Sequence, residues 1–559
     1  MNIKEQIVKN INFNFEELNV NAQDLIIESI SADKGDYSLP CFSFAKILRD
    51  NPINIANKIA ATVQAGGLIK KCEVVAGYVN FFLNKEIVSK EIIENFDEQN
   101  FKYNEGNQKV VCIDYCSVNL AKYMHIGHIK NSFLGESLAR LFENAGYKVV
   151  RINYIGDYGT PYGKIIAGIN LYGSEQDIEK RGIDALQDYY VKFNAAEAQD
   201  ENLQQLARDI SKKIEDKDEE IYPIYQKVIT IARKEAERLL DILGIYFDSW
   251  KGEASYAQDL HKVVDLLDKK GLISISQGAT IVDLSKFDMP PCLVKRSDGA
   301  SIYASRDIAA ALDRYETYNF DKCIYLTAVE QKLHFAQFFK VLELAGFDFA
   351  SGLEHIAYGR FSLPEGKISS RHGKQAILVD LLDYVLSKAN AVIQDRTFSI
   401  EKPEDVVKKV AKSVLAFNAL NIERHKDAIF DLERAFSFEG ETAPYMQYTY
   451  TRLESILRKY DENNAIADYS CYNQEAFDII LAINDFGSVI KNALEKRDPS
   501  FVLKRVMEMC KMFNKFYTTT KVLDGNENTT KAKINLVKAL KATLSVGFRL
   551  LCIDTLKEM

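Results

Sequence analysis

Residues 109–154 carry the pattern that decides the fold of the central part of this chain. They read KVVCIDY over 109–115, HIGHIKNSFLGESLARLF over 125–142 and VVRINY over 149–154. The two outer segments are rich in β-branched residues, as buried strands are, whereas the apolar residues of the middle segment recur at helical spacing up to Gly146. A strand, a helix and a second strand at this spacing predict a βαβ unit, and therefore a parallel sheet with a right-handed crossover.

Patterns after this unit predict further elements. Cys323 to Leu326 predict another strand, followed by a helix after His334. Residues 175–245 are charged and favour helices, so we expect a helical insertion within the sheet domain. From about residue 400 onward helical periodicity dominates, which predicts a helical bundle.

The N-terminal part of the chain mixes helical and strand patterns and predicts a small α+β domain. Ala76 to Leu83 is typical of a turn followed by a strand, and the polar stretch from Asp97 to Gln108 is typical of a linker. We therefore predict a multidomain α/β protein whose three domains cover residues 1–105, 106–395 and 396–559.

Composition narrows the class of protein. Of 559 residues, 47 % are hydrophobic and 27 % are charged, as in an ordinary soluble globular protein. The net charge of −8 does not point to a nucleic-acid partner, yet it does not exclude one, because a polyanion responds to local basic patches. The N-terminus lacks a signal pattern, and no apolar run approaches the ~18 residues of a membrane span. We expect a cytoplasmic protein whose nine scattered cysteines are reduced thiols, without structural zinc.

His125 and His128 are the first candidates for a catalytic role. A spacing of three at the start of a helix puts both imidazoles on one face, where free N–H groups and the helix dipole favour a phosphate. Gly127 between them lets a flat base approach the backbone closely. The pattern fits an ATP site at which negative charge develops on the α-phosphate. Capping or packing histidines remain the alternative, whereas a zinc site would need further ligands nearby.

The second candidate is the loop GKISSRHGK at 366–374, which is cationic, flanked by glycine and supplied with hydroxyl groups. Lys367, Ser369 and Ser370 would suit a triphosphate. The loop is not a Walker motif, because that motif needs a glycine where Phe361 stands. Taken alone, the pattern is also that of a solvated basic loop.

Several long motifs, in order along the chain, resemble those of the class I arginyl-tRNA synthetases. The five stretches are AGYVNF (76–81), DYCSVNLAKYMHIGH (114–128), GDYGTPYG (156–163), KISSR (367–371) and GETAPYMQY (440–448). The chain departs from the family's usual Pro, Trp, Gln and Met at Ala76, Tyr158, Pro161 and Ile368. The resemblance implies a Rossmann-like catalytic core, an N-terminal tRNA-binding domain and an all-α anticodon-binding domain.

The resemblance also implies a reaction, the ATP-dependent ligation of L-arginine to tRNA(Arg) through arginyl-adenylate. The attacking arginine carboxylate is already ionised at neutral pH, so catalysis should consist of positioning and electrostatic stabilisation. By the resemblance, His125 and His128 stabilise the α-phosphate and Lys367 contacts the departing diphosphate. Arg371 stands in place of a second lysine, for which Lys122 is expected to compensate. Mg²⁺ would accompany ATP.

Recognition of arginine requires carboxylates, which match a guanidinium bidentately. By the family correspondence Asp114 and Asp307 are these carboxylates. Tyr303 would pack beside the side chain, and Asn119 and Gln331 would bind the α-amino and carboxylate end. A neutral isostere would leave buried acids unpaired, so discrimination on the order of 10⁴-fold is attainable without an editing domain.

Contacts with tRNA are expected at both ends of the chain. Tyr78 and Asn80 match a Tyr-x-Asn pair that some family members use for a base of the tRNA D-loop corner, although a half-buried strand tyrosine is the alternative. Four basic residues of the C-terminal region fall at helical spacing, where a solvated face explains them equally well: Lys504, Arg505, Lys511 and Lys515. We expect a monomer that binds tRNA(Arg), L-arginine and ATP, and no membrane.

Three other interpretations stay open. A synthetase for glutamate or glutamine would need a basic pocket, and one for cysteine would need zinc ligands. A non-catalytic, synthetase-like RNA-binding protein is disfavoured by the intact His125, Gly127, His128 and Lys367. An unrelated nucleotidyltransferase would leave the tRNA-binding ends without a purpose.

Overall fold

The computed structural model describes residues 3–15, 25–28, 35–296, 303–364, 377–394, 403–462 and 464–558. The chain forms two compact units. The first contains residues 1–100, 452–488 and 507–545, and the second contains residues 101–451, 489–506 and 546–559.

The N-terminal part of the first unit is an α+β arrangement. Its elements are α1 (Ile3–Lys9), β1 (Ile27–Glu28), β2 (Tyr37–Pro40), α2 (Phe42–Leu48), α3 (Pro52–Ala60), β3 (Ile69–Val75), β4 (Tyr78–Leu83) and α4 (Lys85–Glu94). The strands form an antiparallel sheet in the order β1-β2-β4-β3. The predicted turn and strand are confirmed: Ala76 and Gly77 adopt φ values of 48° and 84°, and β4 follows.

The second unit contains the predicted βαβ pattern. β5 (Val110–Asp114), α5 (Gly127–Asn144) and β6 (Lys148–Ile152) follow one another, and β5 and β6 pair in parallel. Gly146, with a φ of +83°, closes the turn between helix and strand. The helix begins at Gly127, so that of the two histidines only His128 lies within it.

Five helices follow: α6 (Thr160–Tyr172), α7 (Glu175–Arg181), α8 (Ile183–Glu197), α9 (Glu201–Glu215) and α10 (Ile221–Ile242). The last four lie in the stretch for which the sequence predicts a helical insertion. α6 and α9 approach each other closely at Gly163, where an added Cβ would overlap the carbonyl oxygen of Ala207.

The chain then returns to the sheet. The elements are α11 (Leu260–Lys269), β7 (Ile273–Ser276), β8 (Ala279–Val282), β9 (Cys292–Lys295), α12 (Tyr303–Tyr318), β10 (Lys322–Ala328), α13 (Lys332–Leu344), β11 (Leu353–Tyr358), β12 (Phe361–Ser362) and α14 (Leu378–Gln394). The central sheet has the order β11-β10-β5-β6, and every neighbouring pair is parallel. β7, β8 and β9 form a separate antiparallel sheet that the sequence patterns do not predict.

Helices dominate the rest of the chain, as predicted: α15 (Pro403–Leu420), α16 (Ala443–Arg458), α17 (Gln474–Glu495), α18 (Ser500–Thr519) and α19 (Glu527–Leu550). One short strand also lies in this helical region. A two-residue strand, β13 (Ala428–Ile429), pairs in parallel with β12. So short a segment carries no periodicity that a sequence could reveal.

Candidate active site

The histidine pair follows the carboxyl end of β5, one of the two inner strands of the parallel sheet. The imidazole rings lie close together, with centroids 4.1 Å apart. The backbone N–H of Gly127 donates to His125 Nδ1 over 3.1 Å, and that of His125 donates to His128 Nδ1 over 3.0 Å. His125 Nδ1 accepts from Gly127 and carries no proton, so the neutral ring of His125 presents Nε2–H as a donor. His128 Nδ1 also lies 3.1 Å from the carbonyl oxygen of His125, to which the other tautomer of His128 would donate.

Both histidines favour the neutral form. Burial, with a smaller contribution from the neighbouring His125, lowers the pKa of His128 to about 3. Burial also lowers the pKa of His125, with a further contribution from the positive charge of Lys122. The pair can therefore donate hydrogen bonds to a phosphate near neutral pH without changing its own charge.

Asp114, at the last position of β5, is buried against an arginine. Its side chain is 5 % exposed, and Arg314 Nη2 donates to its Oδ2 over 2.7 Å. The hydroxyl of Ser117 donates to Oδ1 over 3.2 Å, and the backbone N–H of Tyr154 lies 3.4 Å from the same oxygen. Burial raises the pKa of Asp114, and Arg314 opposes that rise. Both oxygens thus have donors from the protein itself.

Asp307, on α12, is more accessible. Its Oδ2 lies 2.5 Å from His334 Nε2, and the two side chains are 17 % and 29 % exposed. Tyr303 is the first residue of the same helix, one turn before Asp307, but its side chain lies outside the described residues. Gln331 and Asn119 are both exposed.

Glu253 brings a third acid to this region. Burial raises its pKa to about 7; Arg306 lowers it, whereas Asp307 and Asp157 raise it. Arg306 Nε lies 3.4 Å from Glu253 Oε2. Burial likewise raises the pKa of Asp157 to about 6. Crowded acids of this kind favour the binding of an added cation.

A cavity of about 810 Å³ opens beside these groups in the second unit. Residues from the predicted motifs line it, together with the Glu253–Arg306 pair: Asn119, Gly156, Tyr158, Gly159, Glu253 and Arg306. A space of this size admits a ligand as large as a nucleoside.

The remaining predicted residues of the catalytic region are Lys122 and those of the second loop. Lys122 is exposed beside the histidine pair. The second predicted loop, with Lys367, Ser369, Ser370 and Arg371, lies outside the described residues.

The predicted base-binding pair lies on β4 in the first unit. Tyr78 is half-buried, with its ring 5.1 Å from that of Phe42, which is 49 % exposed. Asn80 is 5 % exposed, and its Oδ1 accepts a hydrogen bond of 2.7 Å from the hydroxyl of Ser38. Tyr78 is thus better placed than Asn80 to meet a ligand.

The four basic residues of the C-terminal region have partners within the protein. Lys504 lies 3.8 Å from Glu423, and Lys515 lies 3.5 Å from Glu475. Arg505 and Lys511 also make polar or ring contacts. This arrangement favours the interpretation of these residues as a solvated, charge-paired helix face.

Sequence reasoning missed four residues of the site: Arg306, Arg314, His334 and Glu253. Two of them carried a usable signal, since Arg314 follows Asp307 by two helical turns and His334 follows Gln331 by three residues on the next helix. Glu253 lies in a short 3₁₀ turn, and only the tertiary fold brings it near Asp307.

Other features bear on cofactors and environment. All nine cysteines are free thiols, and seven of them are buried. Within the described ranges, no group of three His, Cys, Asp or Glu side chains could hold a metal ion. Among the same residues, no helix is long and apolar enough to cross a membrane.

Comparison with family models finds three matches along the chain. The model described as "tRNA synthetases class I (R), catalytic domain" matches residues 91–432. "Arginyl tRNA synthetase N terminal domain" matches residues 1–83, and "DALR anticodon binding domain" matches residues 446–559. Together these matches cover most of the chain.

Comparison with individual proteins finds relatives whose names agree with the family-model matches. A protein of Halothermothrix orenii named arginine–tRNA ligase is 37 % identical, over 100 % of both chains. One of Clostridium beijerinckii with the same name is 39 % identical, over 97 % of each chain.

Two solved structures share the fold. Thermus thermophilus arginyl-tRNA synthetase has a TM-score of 0.83 at 24 % identity, over 100 % of this chain and 99 % of that one. The Plasmodium falciparum enzyme has a TM-score of 0.81 at 21 % identity, over 100 % and 98 %.

Proposed function

Because this chain belongs to the class I arginyl-tRNA synthetases, it ligates arginine to tRNA with ATP, and we propose which of its residues carry out the reaction. In the first step an oxygen of the arginine carboxylate bonds to the α-phosphorus of ATP, and diphosphate leaves. In the second step a hydroxyl of the tRNA 3′ end attacks the carbonyl carbon of arginyl-adenylate, and AMP leaves. The observation that carries the proposal is that β5 ends in a carboxylate of an acidic cluster, Asp114, and leads on to a neutral histidine pair.

The histidines act as fixed donors. His125 and His128 direct Nε2–H groups at the α-phosphate oxygens, where negative charge grows as the carboxylate attacks. Neutral donors held by backbone hydrogen bonds need no reorganisation during the step, and one such donor is worth roughly 10²–10³-fold in rate. Gly127 leaves room for the nucleotide. Its N–H holds the ring of His125 in place.

Arginine binds through the acids. Asp307 meets the guanidinium directly, because its carboxylate is partly accessible and, among the residues that the structure describes, is hydrogen-bonded by His334 alone. Asp114 acts in part through Arg314, since its oxygens already accept bonds from the protein. Asn119 and Gln331 bind the α-amino and carboxylate end, and Tyr303 packs beside the aliphatic chain.

The remaining proposed site residues bind the phosphates of ATP or supply positive charge near them. Lys367, Ser369 and Ser370 bind the triphosphate, with Arg371 nearby, and Lys122 supplies positive charge beside the histidine pair. Mg²⁺ would accompany ATP, held partly by the phosphates.

The tRNA contacts lie outside the catalytic region. Tyr78 stacks on an unpaired base of the tRNA corner, and the helical C-terminal region binds the anticodon. The domains extend over residues 1–105, 106–395 and 396–559. The enzyme acts as a monomer in the cytoplasm.

ATP–diphosphate exchange tests the function. We expect exchange with arginine alone among the amino acids, and only when tRNA is present, as the family resemblance implies. Exchange with glutamate, or none with arginine plus tRNA, would contradict the assignment.

Asp307→Ala tests the pocket. We expect the KM for arginine to rise by roughly 10²-fold or more, because losing one partner of a charged hydrogen-bonded pair costs about 2–5 kcal/mol. The KM for ATP should stay within about twofold. Glu316→Ala is the matched control, since Glu316 is an exposed acid on the same helix. Equal effects of the two variants would speak against the pocket.

A further inference from the structure

His334 touches the proposed arginine-binding carboxylate. Its Nε2 lies 2.5 Å from Asp307 Oδ2, so the imidazole donates a hydrogen bond to one oxygen of the carboxylate. Within the described part of the chain, no donor is found for the other oxygen, Oδ1. A carboxylate held at one oxygen and open at the other has a defined plane and one oxygen to offer a ligand.

The packing around His334 fixes the direction of its donor. Its ring lies 5.3 Å from that of Phe335 and 5.6 Å from that of Phe338, both buried. His334 lies in the first turn of α13, immediately after the 3₁₀ turn that ends at Gln331. The same short segment therefore carries Gln331, a proposed contact of the α-carboxylate end of arginine, and His334, which holds the proposed guanidinium contact Asp307.

We propose that His334 is a positioning residue for arginine specificity. It fixes the plane of the Asp307 carboxylate, so that Oδ1 faces the incoming guanidinium. In many functional sites a neighbouring group orients the side chain that contacts the ligand by donating a hydrogen bond to it. The inference rests on the proposed function, in which Asp307 binds the guanidinium.

Two substitutions separate positioning from packing. His334→Leu keeps most of the bulk and removes the donor, whereas His334→Gln keeps an amide N–H near the place of Nε2. For His334→Leu we expect the KM for arginine in tRNA-dependent exchange to rise roughly tenfold to a hundredfold, as for the loss of a hydrogen bond to a charged group. His334→Gln should restore the KM to within about fivefold of the natural chain, and the KM for ATP should not change in either variant.

His355→Leu is the matched control. The ring of His355 stacks on that of Phe335 at 4.5 Å, in the same aromatic layer, but its Nε2 bonds to Thr327 and not to Asp307. We expect it to leave the KM for arginine within about twofold. A rise as large as that of His334→Leu would show that packing, and not the hydrogen bond, is responsible.

The Asp307→Asn background distinguishes a failure of the proposed arginine pocket from a failure of the proposed role of His334. If His334 acts through Asp307, adding His334→Leu there should change the KM for arginine less than twofold. If Asp307→Asn itself leaves that KM unchanged, the proposed arginine pocket fails. If Asp307→Asn raises the KM but His334→Leu does not, or if His334→Gln is as impaired as His334→Leu, only the role of His334 is overturned.

Discussion

At the scale of single residues, two aspartates with the same expected role have different surroundings. Asp114 is buried and accepts hydrogen bonds from Arg314, Ser117 and a backbone N–H, whereas within the described ranges His334 is the one donor to Asp307. Removing one member of a buried charge pair is costly, because the other charge is left without a partner in a medium of low polarity. In the proposed arginine pocket, we therefore expect Asp114 to contribute to the shape as well as to the charge.

Glu253 should make arginine binding depend on pH. Burial raises its pKa to about 7. A guanidinium bound among these acids favours ionised Glu253, so below pH 7 binding must expel a proton. We expect the Kd for arginine to fall as the pH rises from 6.5 to 8, by less than tenfold per pH unit. Equilibrium dialysis over this range measures the slope.

Glu253→Gln is the control for this dependence. The amide has nearly the same shape and no titrating proton, so the slope between pH 6.5 and 8 should disappear. A slope that persists unchanged in the variant would assign the titration to another group.

At the scale of elements, the close crossing of α6 and α9 depends on one glycine. Gly163 belongs to the motif GDYGTPYG, but its role is steric: a Cβ there would overlap Ala207 O and the Ser211 hydroxyl. The motif thus combines residues that line the cavity, such as Gly156 and Tyr158, with one that lets two helices pack.

Gly163→Ala should destabilise the protein. Overpacking of this kind costs about 1–3 kcal/mol, since backbone atoms must move apart. We expect a lower midpoint of thermal unfolding, measured by circular dichroism. Gly67→Ala should leave the midpoint unchanged, because no atom lies within 4 Å of the added Cβ. Equal midpoints for the two variants would contradict the steric argument.

At the scale of the whole molecule, the C-terminal residues of the second unit anchor α5, the helix that contains His128. Ser137 and Arg140, on α5, donate to the carbonyl oxygens of Leu550 and Arg549 over 2.6 and 2.7 Å. Asp554 accepts from Lys412 over 3.0 Å. Residues more than 400 positions apart along the chain thereby support the helix that contains His128.

Removal of residues 549–559 should lower both stability and exchange activity. It deletes several buried apolar side chains, each worth about 1.5–3 kcal/mol, and the acceptors that α5 uses. We expect the unfolding midpoint to fall by several degrees. Removal of residues 557–559 alone, of which Lys557 and Glu558 are exposed, should change neither property. Equal activity of the two truncated chains would show that α5 does not need this anchor.

The sequence by itself determined the central βαβ unit, the helical C-terminal region, the turn before β4 and the order of the family motifs. Each of these features follows from local periodicity, from a turn residue or from a continuous string of residues. Such signals depend on neighbouring residues in the sequence and not on distant parts of the chain. The candidate pair His125 and His128 was predicted from such a string, whereas Asp307 was assigned through the family resemblance.

Only the tertiary structure decided which partners the acidic side chains have and how accessible they are. Arg314 meets Asp114 across 200 positions of sequence, and Glu253 reaches the acidic cluster from a turn with no periodic pattern. The sheet of β7 to β9 likewise combines strands too short to be recognised singly. Burial and long-range pairing set the charge and accessibility of a carboxylate, and these properties arise only when distant segments exclude water together.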